Sequence, residues 1–180
     1  MRSLIIISLF AVLTKCYSQE KYNFVSCENV KVYKINSEKY LTTCSVNSSS
    51  IEEYFGIPDS IIVNDLPDES QLFCYGKDYF EIPSTTQGQA TLRFQTNQFK
   101  LIIQDSLDII VGISIEKVLK TFPISKTLSE ESNEDPAKLI LYHIYNKNEL
   151  TDLKNCTSRL IISYLKATKR IVKIEKIDIN

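Results

Sequence analysis

The chain has 180 residues, of which 43% are hydrophobic, and its 21 basic and 22 acidic side chains give a formal net charge of −1. This length suits a single domain with its own core, and no Gly/Ser-rich or Pro-rich linker divides it. A net charge so close to zero gives no reason to expect nucleic acid as a partner. With four glycines in all, the sequence has no Gly-rich loop for binding phosphates.

The N-terminal residues have the pattern of a secretory signal peptide. A short basic start precedes the apolar run Leu4–Leu13, and the small residues Cys16 and Ser18 suit cleavage after Ser18. The run is about half as long as a membrane span requires. We therefore predict a signal peptide over residues 1–18 and a single secreted, extracellular domain over residues 19–180, with no membrane span.

From Val30 onward the dominant local pattern is that of β-strands. Val30–Ile35 alternates apolar and basic residues, Tyr40–Val46 is rich in strand formers, and the turn-forming residues 36–39 between them predict a hairpin. A capping box that begins at Ser50 predicts one helical turn, which ends at Gly56. Three further short strands are predicted at residues 60–63, 71–75 and 79–82.

The middle of the chain holds the clearest strand signal. In Gln89–Thr96 apolar and polar residues alternate with a period of two, as in a half-buried strand. We predict that Phe99–Gln104 returns antiparallel beside it. Leu107–Ile115 is the most apolar segment of the mature chain and is predicted as a central strand, with Gly112 at a bulge or a close backbone approach.

The last third of the chain mixes strand signals with a polar loop. Glu116–Phe122 predicts a helical turn, which Pro123 ends. Residues 126–138 are polar, acidic and without periodicity, which predicts an exposed, mobile loop. The isoleucine spacing of residues 170–179 fits a helix face or a strand, and we favour a strand because Ile and Val dominate the segment. The remaining predictions are strands at residues 139–145 and 158–165 and a short helix at residues 148–154.

Roughly nine or ten short strands at close spacing indicate a mostly β fold. We predict a single antiparallel β-sandwich or barrel-like domain with one or two short helices. The chain has no Trp. It therefore lacks the Cys–Trp–Cys signature of immunoglobulin domains and the Gly-x-Trp element of lipocalin barrels, and no family is indicated.

The cysteines expected in the mature chain form an even set in an oxidising compartment, which predicts two disulfides. They are Cys27, Cys44, Cys74 and Cys156. Of the three possible pairings we favour Cys27–Cys44, because this bridge closes a short loop over the predicted hairpin. Cys74–Cys156 then joins the middle of the chain to its C-terminal part. The absence of a Cys-x-x-Cys motif excludes the usual redox motif and zinc knuckle.

Two Asn-x-Ser/Thr patterns are N-glycosylation acceptors, at Asn47 and Asn155. Asn47 lies in a polar Asn/Ser cluster that predicts an exposed loop, so we expect this residue to carry a sugar. Asn155 precedes Cys156, which we expect to be bridged and partly buried. Asn155 is therefore the poorer acceptor.

The sequence shows no catalytic constellation, and we predict no catalytic residue, no cofactor and no metal site. His143 is the single histidine, no Gly-x-Ser-x-Gly motif accompanies it, and the cysteines are expected to be bridged. We predict a strand histidine whose ring is satisfied by a neighbouring residue. One histidine and scattered cysteines also exclude the usual zinc spacings. Asp65 and Asp68 are interpreted as solvated loop acids, since no EF-hand pattern surrounds them.

Charge is unevenly distributed along the chain. Residues 52–69 hold six acids and no base, whereas residues 154–176 hold seven bases and one acid. Such asymmetry indicates an electrostatic binding surface, two segments that face each other, or ordinary solvated surface. The leading partner-binding candidates lie around a predicted turn in the basic segment. They are Lys166, Lys169, Arg170 and Lys173.

These features predict a secreted, disulfide-linked, β-rich binding protein that acts by non-catalytic association with another protein or a cell-surface macromolecule. Ile, Lys and Asn are frequent, and their A+T-rich codons are typical of parasites and large DNA viruses, in which such a role is host-directed. The alternative is a β-barrel carrier of a small apolar ligand, which the missing Trp signature weakens. A hydrolase that uses His143 is a third class, and substitution of that residue by Ala tests it.

Overall fold

The computed structural model describes residues 24–64, 69–84, 90–123, 135–144 and 158–178, and for residues 144 and 178 the backbone alone. These residues form twelve β-strands in two sheets, two α-helices and one 3-10 turn. None of the helices they form is long and apolar enough to cross a membrane. Several predicted features lie outside the described residues: the signal peptide, Asp65 and Asp68, residues 126–134 of the acidic loop, the helix at 148–154, Asn155 and Cys156.

The larger sheet has eight strands, and their order in space does not follow the chain. These strands are β1 (Phe24–Ser26), β4 (Ser60–Asn64), β5 (Ser70–Tyr75), β6 (Asp78–Pro83), β7 (Thr91–Phe94), β10 (Ala137–Ile144), β11 (Ser158–Tyr164) and β12 (Ile171–Asp178). From one edge to the other the order is β1-β10-β11-β12-β7-β6-β5-β4. Neighbours are antiparallel, except that β1 pairs parallel with β10.

The smaller sheet has four strands, all paired antiparallel. They are β2 (Val30–Lys34), β3 (Tyr40–Thr42), β8 (Phe99–Ile103) and β9 (Leu107–Ile110), in the order β3-β2-β8-β9. Helix α1 (Ser48–Phe55) follows β3, and helix α2 (Glu116–Thr121) follows β9. The 3-10 turn, Cys27–Asn29, joins β1 to β2 and so connects the two sheets.

The two sheets share one hydrophobic core, because side chains that alternate along each strand put an apolar face on each sheet. An aromatic cluster lies at its centre and contains Phe80 and Phe94 of the larger sheet, Phe99 of the smaller sheet and Phe55 of α1. The ring centroids of Phe94 and Phe99 are 4.9 Å apart, and those of Phe55 and Phe80 are 5.1 Å apart. Aromatic pairs at such distances contribute about 1 kcal/mol each beyond the area they bury. The layout is that of a sandwich.

The predicted fold class is confirmed, since the chain is mostly β with two short helices and largely antiparallel sheets. The hairpin predicted from Val30 pairs β2 with β3. The strands predicted over residues 60–82 form the antiparallel run β4-β5-β6. Residues 171–178 form β12, so the strand interpretation of the C-terminal segment is also confirmed.

The strands predicted at residues 89–96 and 99–104 do not pair with each other, and that prediction is wrong. β7 pairs with β6 and β12 in the larger sheet, whereas β8 pairs with β2 and β9 in the smaller one. The Asp78 carboxylate accepts hydrogen bonds from the backbone N–H groups of Gln95 (2.6 Å) and Thr96 (2.9 Å) and from the Thr96 hydroxyl. These bonds hold the turn that carries the chain from one sheet to the other.

The N-cap of helix α1 lies three residues earlier than the capping box at Ser50 predicts. Asn47 is the N-cap, because its side-chain Oδ1 accepts a hydrogen bond from the backbone N–H of Ser50 at 3.0 Å. The helix ends before Gly56, as predicted. Gly56 has a φ of 79°, a left-handed conformation that glycine adopts without strain.

Two other predicted segments are corrected by the strand boundaries. The segment Leu107–Ile115, predicted as a central strand, forms β9 only as far as Ile110, and β9 lies at an edge of the smaller sheet. Gly112, at a φ of 94°, lies in the turn that follows β9. Residues 137 and 138, predicted as the end of the acidic loop, form the start of β10 instead.

Candidate functional site

His143 lies in a buried polar cluster where β10 and β11 meet the residue that follows β3. Its Nε2 is 2.7 Å from the hydroxyl of Thr43, and its Nδ1 is 3.4 Å from the hydroxyl of Ser158. The Thr43 hydroxyl donates to the carbonyl oxygen of Cys27 at 3.0 Å. These three polar side chains are exposed by 3% or less.

The contacts suit a neutral ring protonated on Nε2. The Thr43 hydroxyl donates its one proton to the Cys27 carbonyl, which leaves its oxygen to accept from Nε2, and the Ser158 hydroxyl is placed to donate to Nδ1. Burial and the nearby Lys176 lower the pKa of His143 from 6.5 to about 3, which keeps the ring neutral at physiological pH. As the sequence predicted, neighbouring residues satisfy this strand histidine, and its nitrogens connect strands rather than face solvent.

The predicted Cys27–Cys44 disulfide is present, with Cα atoms 5.3 Å apart. It joins the 3-10 turn before β2 to the segment after β3 and so closes the open end of the hairpin. Cys74 lies half-buried on β5 and is not bridged to a described cysteine. Its predicted partner, Cys156, lies outside the described residues, so the Cys74–Cys156 bridge stays a prediction.

Asn47, the better of the two glycosylation candidates, is exposed at the N-terminus of α1. Its side-chain Nδ2 donates to the carbonyl oxygen of Ser45 at 3.2 Å, while Oδ1 caps the helix. A sugar on Nδ2 leaves Oδ1 available for capping, so the cap and the modification are compatible. Glycosylation of Asn47 and of Asn155 stays a prediction.

The turn predicted to carry the partner-binding residues joins β11 to β12. Lys169 is exposed, and its ammonium lies 5.9 Å from the centroid of the Tyr164 ring. Lys166 is half-buried, and its backbone N–H donates to Asp135 Oδ1 at 3.3 Å. The two ammonium groups therefore share a turn but differ in their exposure to solvent.

Arg170 and Lys173, the other two predicted partner-binding residues, each have a polar contact within the protein. Arg170 Nη1 donates to the carbonyl oxygen of Gly112 at 2.7 Å, and Lys173 forms an ion pair with Glu175 at 2.8 Å. The four basic residues thus do not form one free cationic cluster in the structure. Their role in binding stays a prediction.

The acidic and basic segments do not neutralise each other through direct contacts between described residues. Three strands separate β4 of the acidic segment from β12 of the basic segment, which corresponds to about 19 Å across the sheet. The ion pairs among the described residues join other groups: Lys31 to Asp105, and Glu175 to both Arg93 and Lys173.

An open surface pocket of about 590 Å³ lies between β3 and α1, and we refer to it as the Tyr40 pocket. Tyr40 is 39% exposed, and Tyr54 lies on the α1 side. The Lys39 ammonium is 5.9 Å from the Tyr54 ring and 3.5 Å from the carbonyl oxygen of Glu53. The pocket is lined by Glu38, Lys39, Tyr40, Leu41, Thr42, Ser45, Ser50, Glu53 and Tyr54.

Tyrosine and lysine side chains continue from this pocket across the outer face of the smaller sheet. The centroids of the Tyr33 and Tyr40 rings are 5.2 Å apart. The Lys31 ammonium lies 4.6 Å from the centroid of the Tyr40 ring, and the Lys100 ammonium lies 5.2 Å from that of the Tyr33 ring. Lys31 also pairs with Asp105 at 2.6 Å, which raises its pKa. Cation–π contacts hold these lysines over the tyrosine rings, so the face combines aromatic and charged side chains.

Sequence reasoning did not locate the Tyr40 pocket. The alternation of Lys31 and Tyr33 along β2 is a signal that these side chains share the face opposite the core. The approach of Tyr54 to Tyr40 has no such signal, because it depends on how α1 packs against the hairpin. Tyrosine count alone is only a weak indication of an interface.

Comparisons with known proteins add little to this description. No family model and no curated protein matches the chain. The chain is similar to a solved structure, the 1.5 Å crystal structure of an extracellular protein containing an SCP domain from Bacillus anthracis str. Ames, with 13% sequence identity and a TM-score of 0.43. The match covers 79% of this chain and 46% of that one, so this chain spans about half of the other's length. Similarity at this level does not establish a shared function.

Proposed function

We propose that this chain is a secreted protein that binds another macromolecule without chemistry of its own, and that the Tyr40 pocket is its main contact surface. The predicted signal peptide supports secretion. The Cys27–Cys44 disulfide does so too, because disulfides persist in oxidising compartments.

The lining of the pocket is the observation that carries the proposal. It combines two tyrosines with acidic and basic side chains in an open concavity. Tyrosine is enriched at protein interfaces because its ring buries a large area while its hydroxyl forms a hydrogen bond. Charges of both signs at a rim favour a partner with complementary charges and reject others.

The structure favours a binding protein over a carrier of a small apolar ligand. A carrier needs a concave site that encloses most of an apolar ligand. In the part of the chain that the structure describes, the aromatic rings of Phe55, Phe80, Phe94 and Phe99 pack against one another in the core that the two sheets share. The Tyr40 pocket is open and partly charged, which suits a macromolecular surface better than a buried apolar ligand.

The test uses the secreted protein as bait for cell-surface proteins, followed by the affinity of the isolated partner for three variants. We expect Tyr40→Ala to weaken binding by about tenfold or more, since it removes an exposed interface aromatic. Tyr79→Ala is the matched control, because Tyr79 is a half-buried tyrosine on the larger sheet that does not line the pocket. Thermal unfolding of each variant shows that the comparison is made between folded proteins.

The third variant, Lys169→Glu/Arg170→Glu, tests the basic turn as the contact surface. Binding through this turn weakens with added salt and falls in the double variant, while Tyr40→Ala stays normal. That pattern would move the contact surface from the pocket to the turn. Failure to retain any partner with saturable affinity would overturn the binding function itself.

A further inference from the structure

The edge strand β4 differs from the other strands of the larger sheet in its exposure. Its apolar side chains Ile61, Ile62 and Val63 are 46%, 49% and 58% exposed. β4 pairs with β5 along one side, and the described residues form no strand along its other side. Successive side chains of a strand point to opposite faces, so both faces of this edge are apolar and open to solvent.

Proteins usually protect such an edge against pairing with other chains. Lysine, proline, a bulge or a very short strand are the common devices. β4 has the sequence Ser-Ile-Ile-Val-Asn, with no charged residue and no proline, and its register with β5 is regular from Ser60–Cys74 to Asn64–Ser70. The opposite edge strand, β1, has three residues. The edge at β4 therefore lacks the common protective devices.

Acidic side chains lie at both ends of β4. Asp59 precedes the strand, and its carboxylate accepts a hydrogen bond from the backbone N–H of Gly76 at 2.6 Å. Burial, and then the nearby Glu52 and Asp59 carboxylates, raise the pKa of Tyr75 to about 12. At the other end, Glu69 is exposed beside the pair Asn64–Ser70. Residues 52–69 contain no basic residue, and the Lys34 ammonium near the Tyr75 ring donates to the carbonyl oxygen of Phe55 at 2.7 Å.

We propose that β4 is a docking edge for an extended, β-branched segment of another protein that carries basic residues at both of its ends. Main-chain hydrogen bonds to the open side of β4 supply a ninth strand, and the exposed Ile and Val side chains pack against the incoming strand. The acidic ends attract Lys or Arg and repel a second copy of β4, whose own ends are acidic. No residue of β4 lines the Tyr40 pocket, so this inference does not depend on the proposed function.

The experiment uses three labelled synthetic peptides with the folded, secreted protein. The first is Lys-Lys-Thr-Val-Thr-Val-Thr-Lys-Lys, the second has Glu in place of each Lys, and the third has Pro in place of each Val. We expect fluorescence anisotropy to show binding of the first peptide at least tenfold tighter than of either other peptide. Amide hydrogen exchange should slow at least tenfold at alternate residues of β4, because strand pairing protects the outward N–H groups.

Two variants separate strand docking from general attraction. Ile62→Lys places a protective charge in the middle of the edge and should reduce peptide affinity at least tenfold. Ile113→Lys is its matched control, since Ile113 is an exposed isoleucine outside β4, and it should bind normally. If Ile62→Lys unfolds, Glu69→Lys serves instead, because it changes one acidic end without altering the strand.

Three results would overturn the proposal. Equal binding of the Val and Pro peptides would show that strand pairing is not involved. Equal binding of the Lys-ended and Glu-ended peptides would show that the acidic ends do not select the partner. Sedimentation of the free protein as a dimer that Ile62→Lys dissociates would show that the occupant of the edge is a second copy of the chain.

Discussion

The buried ring of His143 makes the free energy of unfolding depend on pH in the range between pH 7 and pH 5, where most carboxylates remain ionised. The folded pKa is about 3 and the unfolded value is 6.5, so below pH 6.5 the unfolded chain takes up a proton that the folded chain does not. Stability is therefore complete above pH 6.5 and declines as the pH falls towards 3. Between pH 7 and pH 5 we expect a loss of about 2 kcal/mol in urea unfolding.

The variant His143→Gln provides the control for this prediction. Because the chain has a single histidine, its removal should leave the free energy of unfolding nearly constant between pH 7 and pH 5. The variant is expected to be less stable than the natural chain at pH 7, since the hydrogen bonds to Thr43 and Ser158 change. An equal pH slope in both proteins would contradict the assignment of the slope to this ring.

At the same scale, Asp78 determines how the chain passes from β7 to β8. Its carboxylate is fully buried and accepts three hydrogen bonds from Gln95 and Thr96. Asp78→Ala leaves those donors without their charged acceptor, and we expect a loss of about 3 kcal/mol in stability by denaturant unfolding. The matched control is Asp108→Ala, because Asp108 is exposed on β9 and its loss should change stability by less than about 0.5 kcal/mol.

At the scale of elements, the Cys27–Cys44 disulfide constrains the hairpin of β2 and β3. The bridge closes a loop of sequence separation 17, which on the chain-entropy model stabilises the fold by about 3 kcal/mol. The double variant Cys27→Ala/Cys44→Ala should lose about that amount in urea unfolding at pH 7. An unchanged midpoint, or a non-reducing peptide map that links Cys27 to another cysteine, would contradict the bridge.

The positions of most strands along the chain were predictable from the sequence, but which strands pair with each other was not. Alternation of side chains identifies β7 and β8 correctly because it is a local property of each strand. The pairing of β7 with β12 depends on contacts between residues far apart in the chain, such as Phe94 and Ile174, and no local pattern encodes it. Asp78, at the start of β6, holds the turn between β7 and β8 through its buried carboxylate. The sequence does not predict this role, because an aspartate just before an apolar strand is typical of an exposed turn.

At the scale of the whole molecule, prediction of the candidate site was less complete than that of the fold. Composition and periodicity indicated a mostly β domain, and loop length indicated the Cys27–Cys44 pairing. The Tyr40 pocket arises from the packing of α1 against β3, and the open edge arises from the position of β4 at the end of the larger sheet. Exposure of an apolar strand such as Ile61–Val63 cannot be read from its composition, because a buried strand has the same residues.

The central position of β12 in the larger sheet also affects how the protein folds. β12 follows all the other described strands along the chain, and it pairs with β7 on one side and β11 on the other. Without β12, the pairings of the larger sheet leave two separate groups of strands, β4 to β7 in one and β1, β10 and β11 in the other. Joining of the two groups therefore requires β12, and pairing between strands so far apart in the chain is slow to form.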